Sequence, residues 1–149
     1  MDDYLAVLTI TNATIANNSA VSPGGIRNNQ GTIAVRNSIV ANNGRNCDGT
    51  FLDGGGNLRW PNTDPSCPNS ISYGDPKLGP LADHGGPTLT MALLPDSAAI
   101  NAGIDAVCAA PPVNNLDQRG IPRPQGAHCD IGAFELQVYA LYLPVILRQ

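Results

Sequence analysis

Five charged side chains near the C-terminal end are the residues best suited by type to chemistry: Asp117, Arg119, Arg123, Asp130 and Glu135. Two carboxylates could act as acid and base in glycoside hydrolysis, with an arginine orienting one of them. The same residues could instead form a buried network of ion pairs and hydrogen bonds that closes the end of the fold. Because glycine and proline alternate with the charges, as in a structural turn, we expect the network and no catalytic residue.

Two short segments contain residues of the kind that bind metal ions. Asp83 and His84 precede two glycines, but two ligands are too few for a zinc site. Residues 53–57, from Asp53 to Asn57 with three glycines between, superficially resemble a calcium loop but lack its repeated acidic ligands. We predict a solvated loop and a flexible insertion here, and we expect neither a metal ion nor a cofactor.

The four cysteines lack the C-x-x-C spacing of a zinc site, and neither histidine flanks them at zinc-finger spacing. Four cysteines allow three pairings, of which the sequential one closes two short loops. Disulfides would place the protein outside the cytoplasm, whereas the alternative is four buried free thiols. The candidates for pairing are Cys47, Cys67, Cys108 and Cys129.

Two features could concern carbohydrate. Asn12 and Asn17 begin N-glycosylation sequons, although both coincide with turn positions that favour Asn for backbone reasons. Aromatic rings could line a sugar-binding face, but those in this chain are widely spaced, and we expect packing roles. They include Tyr4, Trp60, Tyr73, Tyr139 and Tyr142.

A repeat runs through the part of the chain that precedes these residues. Residues 8–18 and 33–43 share one pattern at a displacement of 25 residues, and a partial third copy maps Ile26 on Phe51. The apolar residues alternate with period two, which indicates short strands. Asn or Gly ends each strand, because these residues tolerate the left-handed backbone of a sharp turn.

A fixed period of this length is typical of a solenoid, and short strands make it a parallel β-helix with ~25 residues per coil. Asn12 would then stack on Asn37, and Asn18 on Asn43, in amide ladders. We predict one all-β domain over residues 1–149. Its regular coils would span residues 5–60, its irregular, loop-rich coils and capping motifs residues 61–135, and an apolar strand or tail residues 136–149.

The composition limits the partners. Charged residues make up 13% of the chain, the formal net charge is −4, and Lys77 is its one lysine. We therefore expect no binding to nucleic acid or to an anionic membrane surface.

The C-terminal tail is apolar on both faces of a strand, and it is too short to span a bilayer. A free apolar strand is an aggregation site, so it must be buried. It could cap its own fold, anchor the protein to a surface, or add as a strand to a neighbouring copy. The proposed assembly residues are Val138, Tyr139, Leu141, Tyr142, Leu143, Val145, Ile146 and Leu147.

Four blocks resemble the choice-of-anchor Q family, which forms the C-terminal part of bacterial surface proteins. They are GDPxLGPLADxGGPT at 74–88, LPxSxAIxAG at 94–103, DQRGxPRP at 117–124 and CDIGAFE at 129–135. The resemblance implies a right-handed parallel β-helix and a secreted or surface location, and it brings no catalytic residues. The chain departs from the family pattern at Met91, Ala98 and Asn101, where we expect no chemistry.

We therefore expect a non-enzymatic structural or adhesive protein, extracellular or on the bacterial cell surface. Residues 1–4 are acidic where a signal peptide would be basic, so we expect a piece of a longer chain. The open edge at residues 5–10 would be covered by the preceding β-helix or by the tail of another copy, in head-to-tail filaments. Cell-surface glycans are further candidate partners, and the alternative function is a carbohydrate-binding or polysaccharide-degrading protein.

Overall fold

The computed structural model describes residues 6–21 and 24–137, which fold mainly into short strands. There is one helix among them, α1, which has five residues and covers Asp105–Ala109. No helix within these ranges is long and apolar enough to be a membrane span. The strands are β1 Val7–Thr11, β2 Thr14–Ala16, β3 Ile26–Arg27, β4 Thr32–Arg36, β5 Ile39–Ala41, β6 Cys47–Asp48, β7 Phe51–Asp53, β8 Leu58–Trp60, β9 Ser72–Tyr73, β10 Leu78–Ala82 and β11 Thr90–Leu93.

The strands form four small sheets. Three are parallel, with the orders β1-β4-β7, β2-β5-β8-β9 and β3-β6, and the fourth is the antiparallel pair β10-β11. Asparagine forms the turns between strands, because it adopts the left-handed conformation at little cost. Asn12 and Asn37 have φ of 46° and 45° at equivalent turns after β1 and β4.

The predicted right-handed parallel β-helix is wrong, because the described strands lie in separate parallel and antiparallel sheets and the 25-residue period is not kept. The displacement holds between β1 and β4, where Leu8 pairs with Ile33. It then falls to 18 residues, since Ile33 pairs with Phe51. Ile26, which the repeat mapped on Phe51, pairs instead with Cys47.

The region predicted as irregular coils contains other structure. Residues 78–93 fold back as the antiparallel pair β10-β11, and α1 follows from residue 105. The rest of residues 94–136 is turns and extended chain. Prolines exclude much of this segment from regular ladders, because they have no N–H to donate.

Side chains of β5 alternate between two apolar clusters. Val40 belongs to a cluster with Val35, Phe51 and Ile71, and Ile10 and Ile15 pack against it. Ile39 and Ala41 face the opposite side, in a cluster that includes Leu58, Leu93, Ala99, Ile131 and Phe134. The sheet β2-β5-β8-β9 is therefore covered on its second face by the C-terminal segment.

Gly132 brings that segment close to the sheet. Its φ is 97°, and a Cβ there would lie 2.7 Å from Thr14 Oγ1 and 2.8 Å from Ile39 Cδ1. The N–H groups of Gly132 and Ala133 donate to Asn37 O and Thr14 Oγ1. The chain thus crosses the face of β5 and reaches β2 immediately before the charged residue Glu135.

Candidate functional site

The five charged residues named from the sequence lie together. Arg123 Nη1 is 3.1 Å from Glu135 Oε2, and both side chains are almost completely buried. Arg123 also donates to the carbonyl oxygens of Asp130 and Gly132, at 2.8 Å each. The guanidinium therefore joins Glu135 to the backbone of the segment that covers the sheet.

A second ion pair adjoins the first. Arg119 donates to Asp117 Oδ2 from both Nε, at 2.9 Å, and Nη2, at 2.6 Å, while Asp117 Oδ1 accepts the backbone N–H groups of Arg119 and Ile121. Asp117 Oδ2 also accepts the N–H of Glu135, while Arg119 Nη2 donates to the carbonyl of Glu135. The guanidinium carbon of Arg119 lies 3.5 Å from the ring centroid of Phe134.

The remaining carboxylate oxygens bind backbone N–H groups. Asp130 accepts from Asn101 at 2.7 Å and from Leu136 at 2.6 Å. Glu135 accepts from Gln125 at 2.8 Å and from Asp130 at 2.9 Å. Burial raises the pKa of the Asp130 and Glu135 carboxyls, while the donating N–H groups favour the charged forms.

This arrangement is suited to holding the fold together. Asp117, Asp130 and Glu135 are buried, and backbone groups and arginines occupy their oxygens. A glycosidase needs both carboxyl groups at the scissile bond, with room for water or for a sugar ring. A polysaccharide chain cannot reach these buried oxygens without displacing the segment that they hold.

The cysteines form two disulfides, Cys47–Cys67 and Cys108–Cys129. Cys108 Sγ accepts hydrogen bonds from the amides of both Asn12 and Asn37, at 3.3 Å each. These two asparagines were expected to form a ladder with each other, but they converge on the sulfur. Two disulfides are compatible with an extracellular location.

The segments considered for metal binding have structural partners. Asp83 Oδ1 accepts the N–H of Gly85, and His84 Nδ1 lies 3.2 Å from Thr90 Oγ1. Asp53 Oδ1 accepts from Gly55 N and Asn57 Nδ2, which closes the glycine-rich turn on itself. Within residues 6–21 and 24–137, no group of three or more His, Cys, Asp or Glu side chains could hold a metal ion.

The carbohydrate-related residues are dispersed. Asn12 is buried, whereas Asn17 is exposed in the turn after β2. Trp60 packs against the second apolar cluster, and Tyr73 lies under Arg59 with 3.9 Å between its ring centroid and the guanidinium carbon. Tyr4, Tyr139 and Tyr142 lie outside the described residues, as does the assembly tail at 138–149.

The exposed contact between Asp105 and His128 gives a prediction about acid stability. The His128 side chain, whose Nδ1 lies 2.8 Å from Asp105 Oδ2, lowers the pKa of the Asp105 carboxyl below its ordinary 3.8, and the Cys129 N–H lowers it further. A lowered native pKa stabilises the fold above the unfolded value, and this contribution is lost as the pH falls through the native pKa. We expect Asp105→Asn to lower the free energy of unfolding slightly at neutral pH and to leave it unchanged well below pH 3.8.

Urea unfolding at several pH values measures this difference. Asp83→Asn makes the same charge change in the loop before Gly85 and serves as the control. If the loss in free energy of unfolding caused by Asp105→Asn were the same at the lowest pH as at neutral pH, the role of the ionised carboxylate would be contradicted.

The sequence predicts an open edge at residues 5–10, and the structure has an exposed strand from residue 7 onward. Strands β1, β2 and β3 each begin a parallel sheet and pair on one side only within the described parts of the chain. We call their unpaired sides the leading edge. On it, Val7 is 77% exposed and Leu8 49%, while Ile33, the partner of Leu8, is buried. Ile10 and Ile15, which pack against the first apolar cluster from this edge, are half-buried.

A groove lies between β2 and the β10-β11 pair, and no sequence pattern indicates it. Its volume is about 530 Å³, and its walls are β2 on one side and the β10-β11 pair on the other. Leu81 and Leu89, which are 60% and 53% exposed, form much of its apolar lining. Thr14 and Ala16 supply the β2 side.

Comparison with known proteins gives no relative from which to transfer a function. No protein-family model matches the chain, and neither the curated proteins nor the solved structures contain a match to it.

Proposed function

We propose that this chain is a non-enzymatic structural or adhesive protein of the cell exterior, and that copies assemble head to tail by strand addition at the leading edge. The observation that carries the proposal is the row of unpaired strand sides on β1, β2 and β3, with half-exposed apolar residues beside them. An unprotected strand edge of this kind is a template for pairing with another chain.

Four further features support the proposal. The two disulfides suit an oxidising compartment. The resemblance to choice-of-anchor Q sequences, which stays a prediction because no family model matches the chain, is in keeping with a bacterial surface. The carboxylates that could do chemistry are buried in a network that binds the chain to itself. The sequence of residues 138–149 is apolar and nearly uncharged, which is typical of segments that add as a strand to an open sheet edge.

The test is deletion of residues 138–149. We expect the full chain to form fibres visible by electron microscopy and the deleted chain to remain a soluble monomer, because a head-to-tail contact that does not close builds filaments. Fibres that persisted after the deletion would show that the tail is not the link.

A carbohydrate-active protein is the alternative that must be excluded. A glycan array and a polysaccharide-degradation assay on the full chain address it, and we expect no turnover. Reproducible turnover that was lost in Asp130→Asn would overturn the structural role.

A further inference from the structure

Among residues 6–21 and 24–137, β2 has a strand partner on one side only, and it also lines the groove. Ile39 N donates to Ala13 O and Asn17 N donates to Ala41 O, so the backbone groups of Ala13 and Asn17 face β5. Successive residues of a strand direct these groups to opposite sides. The N–H and C=O groups of Thr14 and Ala16 therefore point away from β5, and both residues line the groove.

The opposite wall of the groove is apolar. Leu81 is the next-to-last residue of β10, Leu89 immediately precedes β11, and Met91 lies within β11. A strand added beside Thr14 and Ala16 would place alternate side chains on this wall, since the side chains of a strand alternate with period two. The groove thus combines a backbone ladder with an apolar surface, as in recognition by strand addition.

Resting on the proposed head-to-tail assembly, we infer that the occupant of this groove is residues 138–149 of a neighbouring copy, bound as a strand beside β2. The segment has an uninterrupted apolar stretch from Val138 to Leu143, and its charge lies at Arg148. An apolar, nearly uncharged strand fits a groove that is lined by Leu81 and Leu89 and has a bare backbone edge.

The extent of the exposed surface indicates that the strand comes from a neighbouring copy. A strand from the chain's own C terminus would cover β2 and leave Val7 and Leu8 of β1 exposed. A second copy that is held by its tail in the groove brings its own body against the rest of the leading edge. One contact then covers both the unpaired backbone of β2 and the apolar residues of β1.

Disulfide trapping between full-length chains tests this docking. One chain carries Leu81→Cys, and a second, differently tagged chain carries Leu141→Cys, Tyr142→Cys or Leu143→Cys. The native cysteines are all paired, so the new thiols are the reactive ones. Leu52→Cys on β7, at 57% exposure, is the matched control for Leu81 at 60%.

We expect severalfold more mixed dimer with Leu81→Cys than with Leu52→Cys, and a yield that alternates along the three tail positions. Equal yields from the two partners would overturn the groove as the docking site. So would a Leu81→Cys/Leu143→Cys chain that closes a disulfide within itself while mixed chains do not cross-link. If wild-type chains form fibres but Leu81→Cys is not trapped selectively, the groove is not the docking site and the proposed assembly still holds. If wild-type chains form no fibres, the proposed assembly itself is wrong.

Discussion

Arg123→Ala should destabilise the fold by about 3–5 kcal/mol, the cost of leaving a buried charge without its partner. The guanidinium holds Glu135 at 3.1 Å and donates to two backbone carbonyls of the covering segment. Without it, the Glu135 carboxylate stays buried and only two backbone N–H groups stabilise its negative charge. In thermal unfolding followed by circular dichroism, the loss corresponds to a fall in Tm on the order of 10 °C.

Arg27→Ala is the matched control, because it removes the same charge from an exposed pair. Arg27 Nε lies 3.4 Å from Asp48 Oδ2, and its side chain is 58% exposed. Such pairs contribute about 1 kcal/mol or less. Arg123→Lys keeps the charge but lacks the planar guanidinium, so its Tm should lie between those of Arg123→Ala and Arg27→Ala. A Tm of Arg123→Ala within error of that of Arg27→Ala would show that the network does not hold the fold.

Removal of either disulfide should lower the free energy of unfolding by about 3 kcal/mol, because each bridge restricts the unfolded chain over a loop of similar length. The paired cysteines are 20 and 21 residues apart. We expect the larger loss in Cys108→Ala/Cys129→Ala, since the amides of Asn12 and Asn37 then also lose the sulfur that accepts their hydrogen bonds.

Urea unfolding of the two double variants, each as purified and with a reducing agent, separates these contributions. Cys47→Ala/Cys67→Ala is the control for loop closure, because its sulfurs lie within the first apolar cluster. Equal losses in the two variants would exclude a contribution from the asparagine amides. Unfolding midpoints unaffected by reduction would exclude stabilisation by the bridges.

The sequence repeat correctly predicts which residues of β1 and β4 are paired, but it is wrong for β4 and β7. The alternation of apolar residues correctly pairs Leu8 with Ile33 and Ile10 with Val35. The connection that follows is shorter in the second copy, because eight residues lie between Asn17 and Ile26 but four lie between Asn42 and Cys47. Gly and Asn occur in both connections, so composition alone does not reveal that residues are missing and that Phe51 moves next to Ile33.

The charged network could be anticipated and the groove could not. Glycine and proline between the charges in residues 117–135 indicate turns that bring side chains together. The groove is formed by β2 together with an antiparallel pair that lies more than 60 residues away in the sequence. Pro80 argues against a strand at that place, yet the register shift between Leu78 and Leu81 accommodates it inside β10.

Hydrogen exchange at the backbone of β2 tests the central claim, that copies add a strand at the leading edge, most directly. The full chain would be compared in its dispersed and assembled forms, with Asn17 as the internal control because its N–H already donates to Ala41 O. We predict that the Thr14 and Ala16 amides exchange rapidly when dispersed and become protected on assembly, while Asn17 is unchanged. Thr14 and Ala16 amides that exchanged equally fast in both forms would contradict strand addition at this edge.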